Sequence, residues 1–277
     1  MSRLLITGGS GYLGRHLVPM ALAKHDVLYT YFSQDVLELG AGRPLDIRDA
    51  TAVTALFTHF APDAVIHTAG SNRGADVQAV IEQGTANVSQ AAAQVGARLV
   101  HLSTDSIFDG KGGAPYQETA VPTPVNLYGR AKAAAEAHAG QHPDHVIIRT
   151  SLIYGLEQMD HGTEWMTRAL HAGRPVTLFN NQIRNPIWVQ TLALACLELL
   201  DHPYQGILNV AGRQVMSRAE FGLRLLDYWG VMERETLRIG PSLGGEWPLD
   251  CALDLGLATA VLRTPLPGVD DVLRPFI

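Results

Sequence analysis

The sequence is poor in lysine and cysteine and has no long hydrophobic run, and each shortage removes a class of function. Among 277 residues only Lys24, Lys111 and Lys132 are lysines, against 18 arginines, and the formal net charge is -6. The positive residues are scattered, so neither nucleic acid nor an anionic membrane surface is expected as a partner. Cys196 and Cys251 stand 55 positions apart, without a CxxC pair, and the 11 histidines show no ligand spacing. That argues against a zinc site and a disulfide framework, predicts no metal, and fits a reducing compartment. No stretch approaches the ~18 apolar residues of a membrane span. The N-terminal SRLLITGGSG passes into glycine before a signal h-region could form. The expected location is the cytoplasm.

What the sequence does have is 47% hydrophobic residues, enough for a large core. Arg3 to Thr7 is a short apolar run stopped by glycines, and Tyr12 to Lys24 carries apolar residues at helical spacing. The alternation continues through strand candidates DVLYTYF from Asp26, DAVIHTAG from Asp63, ARLVHLST from Ala97 and HVIIRTS from His145. Helix-compatible, Ala-rich stretches such as 85–94 and 131–139 lie between them. This rhythm predicts an α/β fold: a Rossmann-like, doubly wound parallel sheet with helices on both faces. After Ser151 it loosens. PVTLF from Pro175, GILNV from Gly206 and helix-like stretches at 188–200 and 218–229 are assigned to a smaller C-terminal substrate lobe. The predicted division is 1–155 and 156–277, with the two parts intertwined and sharing an interface, since no low-complexity linker separates them.

Gly8, Gly11 and Gly14 form GxxGxxG between the first strand and the first helix. A dinucleotide needs glycine there because a side chain would keep the backbone from the pyrophosphate, which the helix N-terminus then meets. Three glycines at those offsets arise by chance ~0.3 times in such a chain, so the position rather than the pattern carries the inference. Tyr12 and Leu13 of the same turn join them as expected cofactor contacts. The second strand ends in YTYFS, with no acid to hold an adenosine 2'-hydroxyl and no arginine to attract a 2'-phosphate. NADP(H) is therefore only slightly favoured over NAD(H). Asp46 and Ile47 are read either as an adenine contact or, for Asp46, as an ordinary helix cap before Arg48 and Asp49.

Tyr128 and Lys132 in YGRAK are spaced i, i+4, which puts both on one helix face. Tyrosine, with a pKa near 10, exchanges a proton poorly at neutral pH unless a cation stabilises the phenolate. A chance Tyr-x-x-x-Lys is expected only ~0.09 times here, which makes the pair moderately specific. Upstream, HLSTDSIFDG ends the presumed fifth strand, where ligands of open α/β sheets bind, so Ser103, Thr104 and Asp105 are expected to project into the cleft. The alternative for that string is a turn or helix cap.

TGGSGYLG, LDIRD, STDSIFDG, NLYGRAK and RTSLIYG occur in the order and spacing of the extended short-chain dehydrogenases, and the chain most resembles the dTDP-4-dehydrorhamnose reductase group. The likeness runs to about Gly155, with an echo in RNPIWVQTLA from Arg184. It implies Thr104, Tyr128 and Lys132 as the catalytic set and Gly8, Gly11 and Gly14 as the dinucleotide turn. It also implies Asp46 and Ile47 at the adenine, and Ala69 and Gly70 in the loop along the cofactor. The implied chemistry is hydride delivery from a nicotinamide to a carbonyl of a nucleotide sugar, Tyr128 giving the proton and Lys132 keeping the tyrosine pKa low. Two residues depart from the family pattern: Ser106 replaces an aromatic residue, and Ile81 stands where relatives carry Asn; both are expected to touch the cleft. The related dehydratases carry Asp then Glu after the Thr, and here the Glu is absent, which argues against dehydration.

Three functions remain open: the reductase, a non-catalytic NADP(H)-binding subunit resembling the regulatory beta subunit of methionine adenosyltransferase, and an epimerase or reductase of another small carbonyl compound. In the C-terminal lobe Tyr154, Trp165, Arg184 and Trp188 are candidate ligand contacts, the alternative being core packing for the aromatics and surface placement for the arginine. A homodimer would agree with the family analogy, although no apolar stripe identifies an interface.

Overall fold

The computed structural model describes residues 1–70, 76–113, 115–243, 245 and 247–274. Seven parallel strands form the central sheet: β1 (Arg3–Thr7), β2 (Asp26–Tyr31), β3 (Gly42–Pro44), β4 (Ala64–His67), β5 (Arg98–Thr104), β6 (His145–Thr150) and, after the short β7 (Ile153–Tyr154), β8 (Val176–Phe179), β9 (Ile183–Arg184) and β10 (Ile187–Trp188), the distant β11 (Gly206–Asn209). Their order is β11-β6-β5-β4-β1-β2-β3. All four residues of β4 and six of the seven in β5 are buried, as expected for strands covered on both faces. The chain reverses direction across the sheet between β1 and β4, the switch point where such sheets open a crevice.

The helices are α1 (Tyr12–Leu22), α2 (Ala50–Phe60), α3 (Gly84–Val95), α4 (Leu127–Ala139), α5 (His161–His171), α6 (Val189–Asp201), α7 (Arg218–Tyr228), α8 (Gly256–Val261) and α9 (Val269–Leu273). Local chemistry sets several starts. Asp49 caps α2 by accepting from Thr51 N and Ala52 N, Asn126 caps α4 at Gly129 N, and Ser217 and Glu220 form a capping box on α7. On one sheet face Leu13, Leu17 and Val18 of α1 and Leu192, Cys196 and Leu199 of α6 pack over Leu4, Ile6 and Ile148. On the other, Val53 and Phe57 of α2 and Val88 and Ala91 of α3 pack over Leu5, Val65 and Leu99.

Three elements downstream of Gly155, α6, β11 and α8, belong to the large sheet and its cover, so the group built from the remaining downstream residues is smaller than 156–277. The reason is the open edge of β6, whose unpaired backbone groups are met by residues 206–209 in register with 146–149. In the second lobe β8 pairs in parallel with β13 (Leu237–Gly240), and β9 pairs antiparallel with β12 (Met216–Ser217). Helices α5 and α7 close over β8 through Met166, Leu170, Leu178 and Leu226. Among the described residues no helix is long and apolar enough to cross a membrane, and no cluster of three metal-ligating side chains occurs.

Helix α4 is held by a buried ion pair. Glu136 accepts from Arg149 Nε at 3.1 Å and Nη2 at 2.9 Å, with the two side chains only 6% and 2% exposed. Ser103 on β5 donates to the same carboxylate at 2.5 Å, and Arg149 Nη1 donates to the carbonyls of Glu118 and Ala120. Removing one partner strands a buried charge, which costs about 3–5 kcal/mol, whereas replacing both by apolar residues of like volume is often neutral. Glu136→Ala is therefore expected to lower the unfolding free energy by about 3–5 kcal/mol in denaturant titration, and Glu136→Leu with Arg149→Met to recover most of that loss. Equal losses in the single and double variants would contradict this.

Candidate active site

A cavity of about 510 Å³ opens at the switch point. The ends of β1, β2 and β4 supply its walls: Gly8, Ser10 and Gly11, then Thr30 to Gln34, then Thr68, Ala69 and Gly70, with Asp46, Ile47 and Arg48 from the segment after β3. Six of the expected cofactor residues thus come together: Gly8, Gly11, Asp46, Ile47, Ala69 and Gly70. Gly8 has φ +79°, and a Cβ there would stand 2.7 Å from Ala69 N, so no side chain fits. Tyr12, Leu13 and Gly14 do not line the cavity. Tyr12 Oη donates to Gln158 O at 2.8 Å, Leu13 is buried in the core, and Gly14 packs against Gly8 O. What Tyr12 and Leu13 offer the cavity side is their backbone N–H groups, first-turn donors with no partner inside α1.

The choice between capping and adenine contact for Asp46 is decided against capping, since Asp49 is the residue that caps α2. Asp46 instead accepts from Arg48 N at 3.0 Å and from its guanidinium at 2.7 to 3.1 Å, and that guanidinium holds the carboxyl below the usual range. Arg48 also pairs with Asp76 at 2.8 Å and lies 5.7 Å from the Phe32 ring centroid. A guanidinium, already paired with Asp46 and Asp76, is thus brought beside the end of β2 from the next loop. The signal was in LDIRD, but nothing in the spacing says that Arg48 turns back over Phe32.

At the far end of this cavity a methyl at Gly70 would stand 3.5 Å from Lys132 Nζ, so the cavity runs up to the second constellation. Lys132 is buried and donates to Leu102 O at 2.8 Å. Burial lowers its pKa to about 8, opposed by Glu136, which stands one turn further along the same face. Tyr128 is half-buried near Thr104; burial pushes its pKa up to about 12, the Thr104 hydroxyl pulls it down, and Asp105 pushes it up. Thr104, Tyr128 and Lys132 are thus brought to one place. The electrostatics differ from the expectation that Lys132 keeps the tyrosine pKa low: desolvation dominates, and the ammonium is directed at Leu102 O. Gly129 lets α4 approach, because a Cβ there would fall 2.3 Å from Ser106 O.

Other expectations are corrected. Ser103 and Asp105 are buried structural groups rather than cleft residues: Ser103 serves Glu136, and Asp105 accepts from Ser151 at 2.6 Å and pairs with Arg184 Nε at 3.3 Å. Ser106 bonds locally to Asp105 at 3.2 Å. Ile81 is fully buried beside Val77, Ala131 and Ala135, with Tyr128 packed against the group, so it forms an apolar backing and offers no polar contact. Of the second-lobe candidates, Tyr154 is core packed edge-on to Phe221, Trp165 is 56% exposed on α5, and Trp188 lines a separate cavity with His16, Glu157 and Asp271. Arg184 is buried and donates to the carbonyls of Ile183, Pro248 and Leu249.

Known proteins share this arrangement. The family model described as RmlD substrate binding domain matches residues 2–242. A dTDP-4-dehydrorhamnose reductase of Mycobacterium tuberculosis is 34% identical over 260 residues, covering 89% of this chain and 81% of that protein. Methionine adenosyltransferase 2 subunit beta of Xenopus tropicalis is 29% identical over 309 residues, covering 99% of this chain and 88% of that protein. Among solved structures, a hypothetical dTDP-4-dehydrorhamnose reductase from Sulfolobus tokodaii superimposes with a TM-score of 0.84 at 28% identity, with 97% of each chain covered. With residues 2–242 matched by that family model and a relative 34% identical over 89% of the chain, the chain belongs to the RmlD substrate binding domain family of extended short-chain dehydrogenases.

Proposed function

We propose that this chain is an NAD(P)H-dependent reductase of a carbonyl on a nucleotide-linked sugar, with a substrate of the dTDP-4-dehydrorhamnose kind. The observation that carries the reading is the meeting of two halves: a crevice whose Gly70 end reaches Lys132, and the Thr104 and Tyr128 hydroxyl groups one helical turn away. Gly8, Gly11 and the first-turn amides of Tyr12 and Leu13 would hold the cofactor pyrophosphate, and Asp46, Ile47 and Phe32 would flank the adenine. A nicotinamide cofactor bound there supplies the hydride. Thr104 orients the carbonyl oxygen, and Tyr128, which keeps its proton at neutral pH, gives it to that oxygen. Lys132 then stands beside the phenolate left behind. The methionine adenosyltransferase beta relative supports a second reading, a subunit that binds the cofactor without turning it over.

Tyr128→Phe is expected to lower kcat with a keto-sugar nucleotide about 10²–10⁴-fold while NADPH binding is kept. Undiminished turnover would remove Tyr128 from the chemistry; NADPH binding without turnover in the wild type would favour the second reading. The Lys132 ammonium is protonated below its lowered pKa of about 8 and lost above it. An activity that needs the cation should therefore show kcat/KM falling as pH rises through about 8; a profile flat across that range contradicts the role given to Lys132. The Arg48 guanidinium at the adenosine end supports the leaning to NADP(H). Arg48→Ala is expected to weaken NADPH about 10-fold and NADH far less, read by fluorescence titration; equal effects on both cofactors would refute it.

A further inference from the structure

The second lobe presents two arginines toward the β5 end of the sheet, and they are in opposite electrostatic states. Arg184 is saturated, with its guanidinium spread over Asp105 and three backbone carbonyls. Arg218 is not. It is the first residue of α7, one step beyond the β9–β12 pairing that sets Met216 opposite Arg184, and its own backbone N donates to Gln182 O at 2.8 Å. Among the described residues its guanidinium donates no hydrogen bond and has no carboxylate at ion-pair distance. Asp105, the neighbour of Thr104, and Asp160, the N-cap of α5, act on it only from further away.

Three physical terms oppose this placement. The side chain is partly buried, a second guanidinium is nearby, and the first turn of a helix is the positive end of its dipole. Burial is the largest cause lowering the Arg218 pKa, and Arg184 adds to it. A cation kept in such a place without a partner has a use for an anion that arrives from outside, and a guanidinium matches phosphate oxygens two at a time.

We propose that Arg218, and not Arg184, binds the diphosphate of the nucleotide-linked substrate, setting the nucleotide between α7 and α5 with the sugar directed at Thr104 and Tyr128. This rests on the reductase reading for the kind of substrate but not on turnover. Arg184 instead positions Asp105 and the 248–249 backbone.

The test is calorimetric titration of the full chain with dTDP and with UDP, in wild type, Arg218→Met and Arg218→Lys, beside NADPH titration and thermal melts. The expected result is wild-type binding of one or both nucleotides, weakened at least about 10-fold in Arg218→Met and by less in Arg218→Lys, which keeps the charge but not the fork. NADPH affinity should be unchanged and Tm equal to or above the wild type, because a poorly solvated cation has been removed. A structural arginine would lower Tm on removal. Unchanged nucleotide affinity in Arg218→Met, no nucleotide binding by the wild type, or a lowered Tm with NADPH binding lost would each overturn the proposal. Nucleotide binding that depends on Arg218 without any cofactor oxidation would sink the reductase reading and leave this inference standing.

Discussion

The arrangement depends on the buried contact of Glu136 with Arg149 and Ser103. Tyr128, Lys132 and Glu136 follow one another at intervals of four along α4, so the residue that locks the helix to β5 and β6 is on the same face as the two that meet the crevice. With Glu136 fixed, Lys132 has little freedom except to reach Leu102 O, and Tyr128 is delivered to Thr104 at the end of the same strand. Arg149 uses its remaining donors on the 118–120 backbone, which ties the approach to α4 into the same network. A buried ion pair is weak evidence for net stability. Its value here is positional, because it ties α4 to Ser103 on β5 and Arg149 on β6.

The cations in and behind the site are in graded states of neutralisation. Arg149 is fully paired, and Arg184 is spent on Asp105 and carbonyls. Arg48 is shared between two aspartates at the adenosine end. Lys132 is desolvated but steadied by Glu136, and Arg218 alone among these has no direct partner among the described residues. The first two hold the scaffold, while the other three are the ones proposed to meet negative charge brought by a cofactor or substrate. For Arg218 that role follows from solvation physics, since a partly buried cation left without a partner by the fold favours an anion that binds.

Much of this was legible in the amino-acid string because it is local. Strands buried on both faces show up as apolar runs, which is why β1, β5 and β6 are placed within a residue and β4 is found, though its end is read three residues too far. The glycine turn and the Tyr128–Lys132 spacing are short-range patterns with a geometric meaning. What escaped depends on contacts far apart in sequence. The edge of β6 recruits β11 across more than fifty residues, Arg48 folds back over Phe32, and Ser103 and Asp105 turn away from the cleft because Glu136 and Arg184 claim them. Arg218 does carry a local signal: SRAE marks a capped helix start, and an arginine in its first turn runs against the helix dipole.

The central claim is that the crevice and the Thr104, Tyr128 and Lys132 set work as one reducing site. Its most direct measurement follows deuterium from NADPH labelled at nicotinamide C4 into a keto-sugar nucleotide, read by mass spectrometry of the product. One deuterium on the former carbonyl carbon in the wild type, and none with Tyr128→Phe over the same time, is the predicted result. Label retained by a cofactor that is bound but never transferred, across the available keto-sugar nucleotides, would contradict it.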